Sequence, residues 1–237
     1  MFPTADTCGV VIPGHNEGPR IGAVVRGVRE FLPAVWVVDD GSTDDSVSVA
    51  QAAGARVLRH ADRRGKGAAL ATGWSAVAQS GLEWVVLMDG DGQHLPEDIP
   101  RFLTPEHSES LLIGNRMASA TAMPWARRLA NRALSRAISR LAGQDFPDSQ
   151  CGFRRVHLPT LLTLNLCSEQ FEIESEMCVA FARAGLRVGF VPVQVRYGLG
   201  RSKIQPLADG WRWYRWYGRA AKAVAFRGKL RVERVES

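Results

Sequence analysis

The chain has 237 residues, of which 46% are hydrophobic and 23% charged, and its net charge is +6. This is an ordinary globular composition, and the length suits one α/β domain rather than a fibrous or disordered protein. Dispersed cysteines without a Cys-x-x-Cys pair exclude a zinc finger or a disulfide framework, and the lack of about 18 consecutive apolar residues predicts no transmembrane helix.

The first half of the chain alternates strand and helix patterns, which is typical of a parallel sheet with helices on both faces. Apolar runs predict buried strands at Gly9–Pro13, Val35–Asp39, Arg56–Arg59, Trp84–Met88 and Leu111–Gly114. Helical patterns lie between them, at Arg20–Phe31, Thr43–Ala53, Lys66–Ser80 and Pro96–Leu103. We therefore expect an α/β fold with a mostly parallel central sheet, forming one domain over residues 1–237.

The second half is less regular. Residues Pro124–Leu141 predict a helix with an apolar face, and arginines recur every fourth residue on another face. A further helix is predicted at Glu172–Ala184, followed by strands at Val188–Val191 and Val193–Tyr197.

The end of the chain is basic and aromatic. From Arg196 to Ser237 there are eleven Lys/Arg and three Asp/Glu, a net charge of +8, whereas the preceding residues carry −2. A helix is predicted at Leu207–Phe226, within a tail that spans residues 205–237. Such a tail suits an anionic membrane, a phosphorylated ligand or nucleic acid, or it is simply a solvated basic face.

Four polar clusters follow predicted strands. In open α/β sheets, ligands bind at the carboxyl ends of the strands, so these clusters are expected to share one site. They read Ile12-Pro13-Gly14-His15-Asn16-Glu17, Val38-Asp39-Asp40-Gly41-Ser42-Thr43-Asp44, Arg63-Arg64-Gly65-Lys66-Gly67 and Met88-Asp89-Gly90-Asp91-Gly92-Gln93-His94.

The cluster that indicates its chemistry most specifically is Asp89-Gly90-Asp91. Two carboxylates after a buried strand suit a hard divalent cation, Mg²⁺ or Mn²⁺, which also takes phosphate oxygens as ligands. The glycine lets phosphates approach the backbone closely. An ordinary turn is the alternative for this tripeptide on its own. Because three other clusters share the predicted edge, we interpret it as a metal site.

The other clusters admit a simpler interpretation as well. Asp39 and Asp40 suit a base or a ribose, but Asp-Asp-Gly-Ser is also a helix-capping turn. Lys66 suits a phosphate at a helix N-terminus, or it is a surface lysine. Asn16 and Glu17 are either ligand contacts or caps, and their position at a strand end favours ligand contact.

The ordered strings IPGHNE, VVDDGSTDDS, RRGKGAAL, LMDGDGQH, DSQCGFR and YGLGRSKI resemble glycosyltransferase family two. The branch that they resemble contains dolichol-phosphate mannosyltransferases and bacterial polyprenyl-phosphate glycosyltransferases. The resemblance covers about residues 8–215. It implies a GT-A fold, a nucleotide-diphospho-sugar donor such as GDP-mannose or a UDP-hexose, a divalent metal and an inverting transfer.

The resemblance also assigns residues. Around the base and ribose it places Pro13, Glu17 and Asp39 or Asp40, although His15 replaces the usual Tyr of that motif. Its metal motif matches Asp89, Asp91 and Gln93. Positions that line phosphates match Arg116, Arg201, Ser202 and Lys203. The acceptor-side motif matches Asp148 and Gly152-Phe153-Arg154, and an acidic helix position matches Glu176.

We therefore expect a hexosyltransferase that acts on a polyprenyl phosphate, peripheral on the cytoplasmic face of a membrane. With a phosphate acceptor Asp148 or Glu176 would position it, whereas a sugar hydroxyl acceptor would need one of them as a base. A dehydrogenase is set aside because no GxGxxG follows strand one. A nucleic-acid partner is not expected, since it leaves the strand-end clusters unexplained. A non-catalytic nucleotide-binding module would not need the paired aspartates.

Overall fold

The computed structural model describes residues 2–117, 123–198 and 206–233. Within these ranges, seven strands form one sheet: β1 Cys8–Gly14, β2 Val35–Asp40, β3 Arg56–His60, β4 Trp84–Leu87, β5 Leu111–Asn115, β6 Arg154–His157 and β7 Val188–Pro192. Their order across the sheet is β3-β2-β1-β4-β6-β5-β7. All pairings are parallel except those of β6, which runs antiparallel to both β4 and β5.

Helices cover the sheet. They are α1 Gly18–Arg29, α2 Ser46–Ala52, α3 Lys66–Gln79, α4 Ile99–Phe102, α5 Trp125–Ala142, α6 Leu158–Thr163, α7 Ile173–Arg183 and α8 Pro206–Glu233, with a 3₁₀ turn at Pro96–Asp98. β1, β2 and β4 are apolar on both faces, which is why they lie in the middle of the sheet. Among the described helices, none is both long and apolar enough to cross a bilayer.

The five strands predicted in the first half are confirmed to within two residues. β6 was not predicted, because its sequence Arg-Arg-Val-His has no apolar pattern. Both arginines are nonetheless buried, since backbone carbonyls accept their hydrogen bonds: Arg154 donates to Cys151, Ser149 and Glu174, and Arg155 to Phe102, His107 and Glu109.

Other predicted elements differ by three residues or more; the last helix, for example, ends at Glu233 rather than Phe226. The expected strand Val193–Tyr197 is wrong: within it only Val195 forms a bridge, to His94. The expected helix Thr43–Ala53 begins instead at Ser46, because Asp44 Oδ1 accepts hydrogen bonds from the backbone and the hydroxyl of Ser46 and ends the preceding turn.

Candidate active site

The strand order places the polar clusters together. After β1 the chain builds β2 and β3 on one side, and then crosses to add β4 on the other side. This reversal opens a crevice at the carboxyl ends of β1 and β4, where α/β sheets bind ligands. The segments that follow β1, β2 and β4 therefore meet at one edge, as the sequence predicts.

Lys66 and Asp89 form an ion pair at this edge. The Lys66 Nζ lies 2.6 Å from Asp89 Oδ1 and 2.6 Å from Glu174 Oε1. Burial by itself would lower the pKa of Lys66, but the charges of Asp89 and Glu174 outweigh it and raise that pKa. Burial likewise opposes the charge on Asp89, yet the ammonium holds the pKa of that carboxyl below its ordinary value. Lys66 and Asp89 are therefore both charged near neutral pH.

The pKa of Asp91 is shifted in the opposite direction from that of Asp89. Its pKa is raised, first by burial and then by the negative charge of Asp89. The backbone N–H and the side-chain amide of Gln93 donate to its two oxygens, at 3.0 and 2.8 Å. A neighbouring cation would therefore stabilise the ionised form of Asp91.

The donor set of Asp89, Asp91 and Gln93 fits a hard divalent cation, because it offers carboxylate and amide oxygens. The described residues contain no cluster of three or more His, Cys, Asp and Glu side chains suited to a metal. Two carboxylates are nevertheless enough where substrate phosphates complete the coordination.

Asp39 and Asp40 are neighbours with different environments. Asp39 Oδ2 accepts the Ser42 N–H at 3.2 Å and lies 3.3 Å from Arg59 Nε, whereas its Oδ1 is buried without a hydrogen-bond partner among the described residues. A buried acceptor of this kind normally has a donor. Oδ1 of Asp39 can therefore accept a further hydrogen bond.

Asp40 instead holds the loop that precedes α3. Its oxygens accept the backbone N–H groups of Arg64 and Gly65, both at 2.8 Å, and pair with His60 Nδ1 at 2.8 Å. His60 continues to Thr72 Oγ1 on α3, at 2.9 Å. This network fixes the backbone immediately before Lys66. Sequence reasoning missed His60 and Thr72, because neither lies in a recognisable motif.

The residues after β1 make a compact turn against the β2 cluster. Pro13 and Gly14 end β1 beside Val38 and Asp39. Asn16 has a φ of 53° and its Oδ1 accepts the Thr43 N–H at 2.9 Å. The buried Glu17 receives Arg20 Nη2 at 3.2 Å. The same contacts that shape the turn thus hold Asn16 and Glu17 at the crevice.

Arg116 is held by Asp148 at the end of β5. Asp148 is fully buried, and its oxygens accept hydrogen bonds from the Arg116 backbone, from its guanidinium and from Asn131 Nδ2. Arg116 is close enough to Asp89 to lower the pKa of that carboxyl further. The geometry therefore places Arg116 in the site and Asp148 behind it.

The two acidic residues in the first turn of α7, Glu174 and Glu176, have different contacts. The Glu176 carboxylate accepts the backbone N–H groups of Cys167 and Ser168, at 2.7 to 3.2 Å, and so holds the segment before α7. Glu174, which the sequence analysis did not select, contacts Lys66. Both residues lie on α7, where residues two apart point in different directions.

The segment that Glu176 holds packs directly on α3. A Cβ added at Gly67 would lie 2.1 Å from the Ser168 carbonyl oxygen, and the Ala68 N–H donates to the Glu169 carbonyl at 3.1 Å. The predicted phosphate residues Arg201, Ser202 and Lys203 lie outside the described residues, and their assignment stays a prediction.

This α/β sheet, with its charged side chains at the crevice, agrees with the GT-A fold that the sequence resemblance implies. The sequence model of Glycosyl transferase family 2 matches residues 9–156, and this chain belongs to that family. It is a glycosyltransferase.

Relatives and solved structures agree with this. The chain is 33% identical to glycosyltransferase AglJ of Haloferax volcanii, over 88% of this chain and 70% of that protein. It is 28% identical to an undecaprenyl-phosphate mannosyltransferase of Micrococcus luteus, over 93% and 97% of the two chains. The fold is similar to glucosyl-3-phosphoglycerate synthase from Mycobacterium tuberculosis, solved with Mn²⁺ and UDP-glucose, with a TM-score of 0.63, 25% identity and coverage of 86% and 74%.

Proposed function

We propose that this enzyme moves a hexose from a nucleotide-diphospho-sugar to a polyprenyl phosphate at a membrane surface, with inversion at the sugar carbon. The observation that supports the donor side is the meeting of Asp89 and Asp91 with Lys66 and Arg116 at one edge. The acceptor is supported by the similarity to a mannosyltransferase named for undecaprenyl phosphate.

On the donor side, Asp89, Asp91 and Gln93 would hold Mg²⁺ or Mn²⁺, and such a cation would supply positive charge that makes the diphosphate a better leaving group. Lys66 and Arg116 add positive charge that is fixed in place before the reaction, so little reorganisation is needed as charge develops on the leaving phosphate. The open Oδ1 of Asp39 accepts a hydrogen bond from the nucleoside. Arg201, Ser202 and Lys203 are proposed as further phosphate contacts.

On the acceptor side, a phosphate is already anionic near neutral pH and needs no strong base to attack the sugar carbon. A sugar hydroxyl acceptor would instead need Asp148 or Glu176 as a base, and the hydrogen bonds of both carboxylates favour the phosphate acceptor. Asp148 is fully buried with its oxygens engaged by Arg116 and Asn131. Glu176 is bonded to backbone amides. We therefore propose that both residues position their neighbours rather than remove a proton.

The membrane surface is proposed from α5 and α8, which contact each other. Four large apolar or aromatic side chains are exposed on them: Trp125 by 79%, Leu129 by 59%, Trp211 by 62% and Tyr214 by 64%. We name these four residues the aromatic surface. Arginines such as Arg215 and Arg219 are exposed on the same helix α8. Aromatic rings prefer the headgroup region and arginines pair with lipid phosphates, which suits a peripheral enzyme on the cytoplasmic face.

The test offers the purified protein a panel of nucleotide-sugars with Mn²⁺ or Mg²⁺. The acceptors are a short-chain polyprenyl phosphate, the matching polyprenol without phosphate, and a soluble phosphate such as 3-phosphoglycerate. We expect mass spectrometry to detect a glycosylated polyprenyl phosphate only, and Asp91→Asn to abolish it. Transfer to the soluble phosphate or to the polyprenol, with none to the polyprenyl phosphate, would contradict the proposal.

A further inference from the structure

Lys66 contacts two carboxylates that belong to different parts of the fold. Asp89 follows β4, and Glu174 lies in the first turn of α7. The ammonium is 2.6 Å from one oxygen of each, and the ring of Phe171 lies 5.9 Å from it. The side chains of Lys66 and Glu174 are only 14% and 8% exposed, so solvent screens the three charges weakly.

The two Asp89 oxygens have different neighbours. The Oδ2 atom lies against the backbone at Gly152, where an added Cβ would be 2.6 Å away. The Oδ1 atom is the one that pairs with Lys66. A divalent cation bound to Asp89 and Asp91 would therefore share the Asp89 carboxylate with the ammonium and lie close to it.

Two cations at one carboxylate repel each other, and a positive lysine at this distance weakens metal binding. Glu174 changes this balance, because it offers the same ammonium a second carboxylate. Without Glu174 the ammonium would pair with Asp89 alone. A bound diphosphate would add negative charge next to both cations, which reduces the repulsion between them and strengthens metal binding.

We propose that Lys66 and the divalent cation compete for the carboxylate of Asp89, and that Glu174 decides the competition by drawing the ammonium away. The inference rests on the proposed metal site at Asp89 and Asp91. Glu174 is then a positioning residue that acts through Lys66. The nucleotide-free enzyme binds Mn²⁺ weakly, and the nucleotide diphosphate and the metal strengthen each other's binding.

The test is a titration of the protein with Mn²⁺, followed by electron paramagnetic resonance, with and without UDP or GDP. Without nucleotide, Lys66→Met should bind Mn²⁺ about tenfold more tightly than wild type, because the competing charge is gone. Glu174→Gln should change the affinity in the opposite direction and weaken it several-fold. Loss of local structure would weaken binding in both variants, so the opposite signs distinguish competition from damage.

The double variant Lys66→Met/Glu174→Gln closes the cycle and removes both buried charges together. We expect it to bind nucleotide-free Mn²⁺ as tightly as Lys66→Met, since Glu174 has no effect once the ammonium is absent. Arg64→Met is the matched control, because it removes one exposed positive charge next to Lys66 and should change the affinity much less.

Unchanged or weaker Mn²⁺ binding in both Lys66→Met and the double variant would overturn the competition. Failure of the proposed metal site has a different signature. With saturating nucleotide, Asp91→Asn should lose Mn²⁺ binding, and if it does not, the metal lies elsewhere and both proposals fall.

Discussion

The guanidinium of Arg116 grips Asp148 with two parallel hydrogen bonds, from Nε to Oδ2 and from Nη2 to Oδ1, each 2.8 Å long. Asp148 is fully buried, and Arg116 is mostly so. Burial alone would raise the pKa of Asp148, but its bonds with Arg116 outweigh this effect and hold that pKa below its ordinary value. The pair therefore supports the fold as well as the site.

Replacing Asp148 by Asn should lower the free energy of unfolding by about 3 kcal/mol, because Arg116 is left buried without a counter-charge. A carboxyl whose pKa is depressed in the fold stabilises it above the ordinary pKa, and this contribution is lost as pH falls through the depressed value. The difference between wild type and variant, measured by urea unfolding, should therefore shrink in acid. An equal difference at neutral and acidic pH would contradict the role of the charge.

Glu176→Gln should keep most of the transferase activity, because the amide oxygen still accepts the backbone N–H groups of Cys167 and Ser168. Glu176→Ala should lower stability, since those amides lose their acceptor. Initial rates and thermal unfolding of both variants check this. Complete loss of turnover in a well-folded Glu176→Gln would instead identify Glu176 as a base.

Asp39→Ala should weaken nucleotide binding by about 1–3 kcal/mol, because a nucleoside donor then loses its buried acceptor. We expect the donor KM to rise more than kcat falls. Asp40→Ala should mainly lower stability, because its partners are the Arg64 and Gly65 amides and His60. Calorimetry with UDP and GDP, alongside urea unfolding, separates the two. The reverse pattern would exchange the two roles.

Gly152→Ala should weaken metal-dependent nucleotide binding at least about tenfold, because the new methyl would lie 2.6 Å from Asp89 Oδ2 and 3.0 Å from Lys66 Nζ. Gly210→Ala on α8 is the control, since a Cβ there meets nothing within 4 Å. Calorimetry with Mn²⁺ and UDP gives the measurement. Equal binding by the two variants would show that Asp89 tolerates displacement.

Changes to the aromatic surface, or to the exposed arginines on α8, should reduce binding to vesicles that contain phosphatidylglycerol. The variant Trp211→Ser/Tyr214→Ser removes exposed rings, and Arg215→Glu/Arg219→Glu reverses exposed charges, so both should lower the fraction that floats with liposomes. Only the second effect should diminish at high salt. Arg26→Glu/Arg187→Glu, on exposed residues of other elements, is the matched control. Equal flotation of all variants would exclude this surface.

Local sequence determined strands β1 to β4 and the end of the sheet at which the polar clusters lie. Val35–Asp40 and Trp84–Leu87 are short apolar runs rich in valine, and runs of this kind between turn residues are typical of buried strands. The carboxylates that follow them therefore share one edge of the sheet. The motif order also gave the family, which the match over residues 9–156 confirms.

Tertiary structure alone decided which charged residue faces which. Arg154 and Arg155 form the strand β6 only because distant carbonyls, such as those of Glu174 and Phe102, satisfy their guanidinium groups. Lys66 meets Glu174 across 108 residues of sequence, and no local pattern distinguishes Glu174 from Glu176. A side chain's propensity acts over a few residues, whereas a buried charge is stabilised by whichever partner the fold brings within hydrogen-bond distance.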